Sequence, residues 1–374
     1  MDWHWLQPLL GDVAWVSMAF LLGLCARVAG LPPLVGFLAT GFALNALGIV
    51  GGDTLQKISD VGVTLLLFTV GLKLELKTLF KPHVWAVTTI HIGLVIGLFG
   101  GLIIALAAMG APLVTDMSLE HAAILAFALS FSSTVFVVKV LEDKAEVKSH
   151  FGKVAIGILV VQDLAAVVFL AASAGQLPSL WALLLLLFIP LRHLLFSLLE
   201  RSGHGELLVL YGLMLALGSA EIFELTGIKG GVGALLLGVL IARHPKASEL
   251  SKIMLSFKDL FLVGFFLSVG MAGELTLTAI AIAVLLLPVV FIKSALFFGL
   301  MTRFRLRART SLLATLSLSN YSEFGLIVAA IGVANGWLDP QWLVVISVAL
   351  SLSFVIASPL IRHDESLYRR HRDF

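Results

Sequence analysis

Asp163 stands beside Gln162 in the middle of GILVVQDLAAVVF, a stretch with no other charge. A carboxylate in apolar surroundings escapes the cost of an unpaired charge by meeting a basic side chain, by binding a proton or by binding a cation. The last two states exclude each other, and mutual exclusion at one group is the least machinery that proton-for-cation exchange requires. Gln162 contributes a carbonyl oxygen and an amide but no second charge. Two other runs gather oxygen ligands: Ser130-Phe-Ser-Ser-Thr134, with Ser132, Ser133 and Thr134, and SLSNYSEFG from Ser317 to Gly325, with Asn320, Ser322 and Glu323. Lys293, in LPVVFIKSALFFG, is a basic residue set within an apolar stretch.

These residues need elements to hold them, and the composition says what kind. Of 374 residues, 59% are apolar and 13% charged, against about 45–50% and about 25% in an ordinary globular protein. With a mean hydropathy of +1.06, too little polar surface remains to coat a soluble core. Soluble enzyme, nucleic-acid binder and disordered scaffold are therefore excluded, and the fold class is all-α integral membrane. The single cysteine, Cys25, permits no intrachain disulfide and no thiolate metal cluster. No Ser/His/Asp or Cys/His grouping shares one depth and no H-E-x-x-H occurs, so no catalytic residues are assigned.

A helix crossing ~30 Å of hydrocarbon needs about 20 mostly apolar residues. That ruler gives thirteen spans, at 10–28, 33–50, 58–74, 83–108, 118–141, 151–174, 177–199, 206–225, 230–245, 256–272, 276–301, 310–334 and 340–361. The N-terminus lacks a basic region and a small-residue cleavage site, so it is read as the start of the first span. With the N-terminus outside and the C-terminus cytoplasmic, 22 of the 25 Lys and Arg residues fall on the cytoplasmic side, only Lys57 and Lys229 outside, and Lys293 within a span. A bias of that size sets orientation, and it would collapse if one mid-chain span were missed or invented.

Hydroxyl and amide side chains compete for backbone partners, so spans 5 and 12 are expected to break at their polar runs. Small polar residues also pack helices together, and one such run alone would suit that role. Two runs, in spans 5 and 12, which the repeat described next pairs with each other, favour a pair of broken, crossing helices whose freed carbonyls and half-helix ends face an ion. Glu323 is expected to compensate a half-helix N-terminus or to pair with a lysine rather than to ligate an ion. Lys293 either snorkels toward the cytoplasm or supplies a counter-charge to Asp163 or Glu323. His91 is read as a hydrogen-bonded packing residue.

Three segments recur seven spans apart. LVGFLATG (Leu34–Gly41) matches GVGALLLG (Gly231–Gly238), aligning Gly36 with Gly233 and Gly41 with Gly238. FTVGLKLEL (Phe68–Leu76) matches LSVGMAGEL (Leu267–Leu275), and ALSFS (Ala128–Ser132) matches TLSLS (Thr315–Ser319). Seven is odd, so matched spans cross in opposite directions: an inverted repeat of 1–174 (spans 1–6) and 206–362 (spans 8–13), joined by a connector at 175–205 and followed by a basic tail at 363–374. Secondary transporters are built this way, with sites near the midplane on interrupted helices.

At these residues the chain resembles the membrane domain of Kef-type monovalent cation/proton antiporters. The likeness rests on SSTVFVVKVLEDK (Ser132–Lys144), GKVAIGILVVQDLAAVVF (Gly152–Phe169), FKDLFLVGFFLSVGM (Phe257–Met271) and SEFGLIV (Ser322–Val328), in order along the chain. The resemblance implies a NapA-like fold of thirteen transmembrane helices with two crossed broken helices, and a homodimer. Spans 1–3 and 8–10 would form the dimerisation part, and spans 4–6 and 11–13 a mobile core moving like an elevator. It further implies that Asp163 is the shared proton and cation site, the chain's one monovalent-metal position, with Gln162 its neighbour and Ser132, Ser133 and Thr134 the unwound segment. Lys293 falls where antiporters of this fold keep a basic residue. One carboxylate implies electroneutral exchange, with K⁺ favoured over Na⁺, no cofactor, and the bacterial inner membrane as location. A gated potassium channel using the same polar path is the alternative. Kef systems carry an acidic, glutathione-linked loop before span 10, whereas Arg243–Asp259 here reads RHPKASELSKIMLSFKD, with more basic than acidic residues. No G-x-G-x-x-G follows an expected strand, so either regulation differs from that of relatives with a nucleotide-binding regulatory domain, or such a domain or subunit lies outside this sequence.

Overall fold

The computed structural model describes residues 6–49, 51–73, 82–110, 114–115, 117–147, 149–173, 188–227 and 230–362. The first part of the expected connector, the basic tail 363–374, and Lys77, Lys81, Lys148 and Lys229 lie outside these residues, as does the side chain of Lys139.

All regular structure among the described residues is helical, in sixteen helices. They are α1 (Leu6–Val28), α2 (Pro33–Ala46), α3 (Asp53–Lys73), α4 (Pro82–Ala108), α5 (Leu119–Ser130), α6 (Thr134–Asp143), α7 (His150–Ala172) and α8 (Phe188–Arg201). There follow α9 (Glu206–Leu225), α10 (Gly230–Ile241), α11 (Ala247–Met271), α12 (Leu277–Leu285), α13 (Leu287–Arg303), α14 (Ala308–Ser317), α15 (Glu323–Ala334) and α16 (Gln341–Arg362). Six stretches are long and apolar enough to cross a bilayer: α3, most of α4, α7, α9, α11 and the α12–α13 pair.

Local chemistry sets many of the ends. Pro82 opens α4 at a position whose N–H would have no helical partner. Ser118 caps α5 by accepting the His121 N–H at 3.2 Å, and Thr276 caps α12 by accepting that of Ala279 at 3.1 Å. Helix α11 starts at Ala247, ahead of the expected span start at 256. Hydropathy marks what tolerates lipid, whereas Glu249 and Lys252 continue the helix without suiting hydrocarbon.

By internal contacts the chain forms two units, Met1–Val50 with Thr78–Gln162 and Val269–Phe374, and Gly51–Lys77 with Asp163–Ser268. In the second unit α10 packs along α3 and α9, around a core that includes Phe68, Tyr211, Phe223, Leu237 and Met254. In the first, α1 lies on α2, α4 on α5, α5 on α15, and α16 against α12 and α15.

The glycines aligned by the repeat make equivalent contacts. A Cβ on Gly71 would fall 2.3 Å from the Leu235 carbonyl and 3.0 Å from the Gly238 Cα, so α3 and α10 touch backbone to backbone. A Cβ on Gly270 would fall 2.6 Å from the Leu38 carbonyl and 2.9 Å from the Gly41 Cα, which brings α11 against α2 in the same way. Gly270 corresponds to Gly71, and Gly41 to Gly238.

Candidate functional site: two interrupted helices joined at their breaks

Span 5 breaks at Phe131–Ser133, between α5 and α6, and span 12 at Leu318–Ser322, between α14 and α15. Each interruption frees carbonyls behind it and N–H groups ahead of it, and buried groups of this kind must find partners.

The carbonyls at the end of α5 find them in side chains. Phe127 O accepts the Ser130 hydroxyl at 2.7 Å. The Gln162 amide splints the break itself, its Nε2 donating to Ser130 O at 3.1 Å and its Oε1 accepting the Ser132 N–H at 3.0 Å. Phe131 O accepts from Lys293 Nζ at 2.6 Å, with Leu129 O at 3.4 Å from the same ammonium. On the other break, Asn320 Nδ2 donates to Ser317 O at 2.9 Å, and the Ser132 hydroxyl donates to Leu318 O at 2.8 Å. Lys293 Nζ also donates to Asn320 O at 2.9 Å.

The helix starts are joined as well. Ser133 Oγ accepts the Phe136 N–H at 3.2 Å, capping α6, and donates to Glu323 Oε2 at 2.9 Å. Its N–H donates to Asn320 Oδ1 at 2.7 Å. Glu323 is the first residue of α15, behind the N-cap Ser322, whose hydroxyl accepts the Phe324 N–H at 3.1 Å. Thr134 opens α6.

Charge therefore follows the helix ends. The Lys293 ammonium lies at carbonyls freed by both breaks, and the Glu323 carboxylate lies at the starts of α6 and α15, each sign where a half-helix dipole favours it. Lys293 is completely buried, so it does not snorkel. Among the described residues it forms no ion pair within 4.0 Å; its partners are carbonyls and the Tyr321 ring, whose centroid is 5.1 Å from Nζ. Glu323 is 1% exposed, and its Oε1 has no hydrogen-bond partner among the described residues.

Asp163 follows Gln162 in α7 and is 2% exposed. Consecutive helical residues point about 100° apart, so the two side chains serve different faces of α7. His91 packs as expected: Nε2 is 3.1 Å from Lys293 O, and its ring stacks on Phe297 at 3.4 Å.

Two features escaped the reading of the sequence. Span 11 is interrupted at Leu286, where Pro288 follows as a helix-breaking signal. Tyr321 was only one letter in a polar run. Its hydroxyl donates to Leu286 O at 2.6 Å, and its N–H donates to Ser353 Oγ at 3.0 Å.

Apolar helices broken at buried polar runs, with the breaks tied to one another, define a class of multi-pass membrane transport proteins. The chain belongs to the sodium/hydrogen exchanger family: the model of its transmembrane region matches residues 16–363. It is 30% identical over 364 residues to YbaL of Escherichia coli (strain K12), described as a candidate cation/proton antiporter, covering 88% of this chain and 64% of that protein. It is 25% identical over 390 residues to the glutathione-regulated potassium-efflux system protein KefC of Enterobacter sp. (strain 638), covering 96% and 60%. These matches bear out the Kef-type resemblance, and the chain spans less than two thirds of the length of either relative. The structure of MjNhaP1, a sodium proton antiporter from Methanocaldococcus jannaschii, superposes with a TM-score of 0.63 at 13% identity over 93% of this chain and 95% of that one, a likeness of fold.

Proposed function

We propose that this chain is the membrane part of a monovalent cation/proton antiporter. One observation carries the reading: two interrupted helices joined by Ser132, Ser133, Asn320 and Glu323, with Lys293 on their freed carbonyls. This arrangement holds unwound backbone at membrane depth without leaving it unsatisfied, which is what an ion path through a bilayer requires.

In this reading Asp163 alternates between a protonated and a cation-bound state, and inward-moving protons drive the cation out. Gln162 holds the α5/α6 break, with a second lone pair on Oε1 for a cation. Lys293 and Glu323 are fixed opposite charges on the helix ends, so Asp163 alone changes charge and exchange is one-for-one and electroneutral. K⁺ is favoured over Na⁺, in keeping with the KefC relative. The architecture is NapA-like, with thirteen spans in an inverted repeat; the matched contacts of Gly71 and Gly270 support the repeat. Spans 1–3 and 8–10 hold a homodimer together while spans 4–6 and 11–13 move like an elevator. The protein resides in the inner membrane with its N-terminus outside and its C-terminus cytoplasmic.

The test is reconstitution into liposomes containing a pH dye. Pulses of K⁺ or Na⁺ are expected to move protons with the membrane potential clamped, and more readily with K⁺. Cation flux that follows voltage without proton movement would replace the antiporter by a channel.

A further inference from the structure

Tyr321 has more partners than a packing residue needs. It is 1% exposed and sits within the α14/α15 break. Its hydroxyl holds the Leu286 carbonyl at 2.6 Å, at the kink that Pro288 imposes between α12 and α13. Its ring lies 5.1 Å from Lys293 Nζ, within the range of a cation–π contact. Leu286 and Lys293 are seven residues apart, two turns along one helix face. Helical side chains lean toward the N-terminus, so the lysine reaches back toward the kink that the tyrosine holds. One aromatic side chain thus fixes both the start of α13 and the ammonium that α13 carries. Ser294, the next residue, adds a hydroxyl contact to Ser319 at 2.7 Å on the same break.

We propose that Tyr321 is a positioning residue for cation binding: it keeps Lys293 on the carbonyls of Phe131 and Asn320 and so keeps its charge away from the oxygen ligands of the joined breaks. This rests on the antiporter reading above. With the hydroxyl removed, the kink loosens and the ammonium becomes free to visit Asn320 Oδ1, Ser133 Oγ and the unpartnered Glu323 Oε1. There its charge lies on the oxygen-lined breaks that the transported cation passes on its way to its site, and competes with it. Competition raises the cation concentration needed for half-maximal exchange and leaves the rate at saturation unchanged.

The experiment compares wild type, Tyr321→Phe and Ser353→Ala in the liposome assay, with thermal unfolding of each in detergent. Tyr321→Phe keeps the ring and loses one hydrogen bond, and it is expected to raise the half-saturating cation concentration about fivefold, the equivalent of one net hydrogen bond, at an unchanged maximal rate. Ser353→Ala removes the other partner of Tyr321 and is expected to leave half-saturation where it was. Equal shifts in both variants, a fall in maximal rate alone, or loss of the folded protein in Tyr321→Phe would make Tyr321 a structural residue and overturn the proposal. If wild type moves no protons in response to cations, the antiporter reading falls first and this inference with it.

Discussion

The hydroxyl of Ser133 ties the start of one half-helix to the start of another, accepting from Phe136 N at 3.2 Å and donating to Glu323 Oε2 at 2.9 Å. No other residue in the breaks both caps a helix and holds a buried carboxylate among the described contacts. Ser133→Ala is expected to cost about 1–2 kcal/mol as a lost N-cap and to slow exchange. Ser133→Thr, which keeps the hydroxyl, should recover most of the loss. Thermal unfolding and the liposome assay on both variants measure this.

Lys293 and Glu323 carry opposite charges on helix ends that belong to the same two breaks, without touching. If they sense each other, Lys293→Met leaves a buried carboxylate less well compensated and destabilises the protein. Adding Glu323→Gln to it removes the uncompensated charge. The double variant is therefore expected to be more stable than Lys293→Met alone, and a double-mutant cycle on unfolding midpoints would show the coupling. Strict additivity would mean that the two charges do not sense each other.

Asp163→Asn keeps the volume and removes the titrating group. It should abolish cation-driven proton movement while leaving the unfolding midpoint close to wild type. Continued exchange by this variant would move the proton and cation site away from Asp163.

Gly71 and Gly270 stand at equivalent backbone crossings, so Gly71→Ala and Gly270→Ala should destabilise alike. The carbonyls of Leu235 and Leu38 lie 2.3 and 2.6 Å from the new Cβ; each substitution forces the helices apart at a cost of about 1–3 kcal/mol. Gly299, with nothing within 4 Å of a Cβ, is the neutral control. Unfolding midpoints of the three variants decide the matter.

Much of this was legible in the residues. The polar runs at Ser130–Thr134 and Ser317–Gly325 announce the two breaks, because hydroxyl and amide groups offer the backbone partners that a helix would otherwise supply. Glu323 was expected to compensate a half-helix start, and it stands at the first position of α15. What the letters do not carry is which freed carbonyl each donor takes. The sequence offers Lys293 carboxylates or the interface as partners, whereas its ammonium is held by backbone oxygens that are freed only once both helices have opened. The kink at Leu286 was readable from Pro288, but the apolar run around it masked the signal. Tyr321 carried no signal at all, since its partners come from α13 and α16, distant in sequence.

The glycine crossings also constrain how the chain is made. Gly71 emerges from the ribosome early, yet the backbone it must meet, at Leu235 and Gly238, is synthesised long afterwards; Gly41 likewise waits for Gly270. Helices in a bilayer insert first and associate later. The early helices must therefore reside in the membrane with these glycine surfaces unmatched until the second half arrives. Biogenesis is in this sense a late, long-range closure, and the nascent first half is the stage most exposed to quality control.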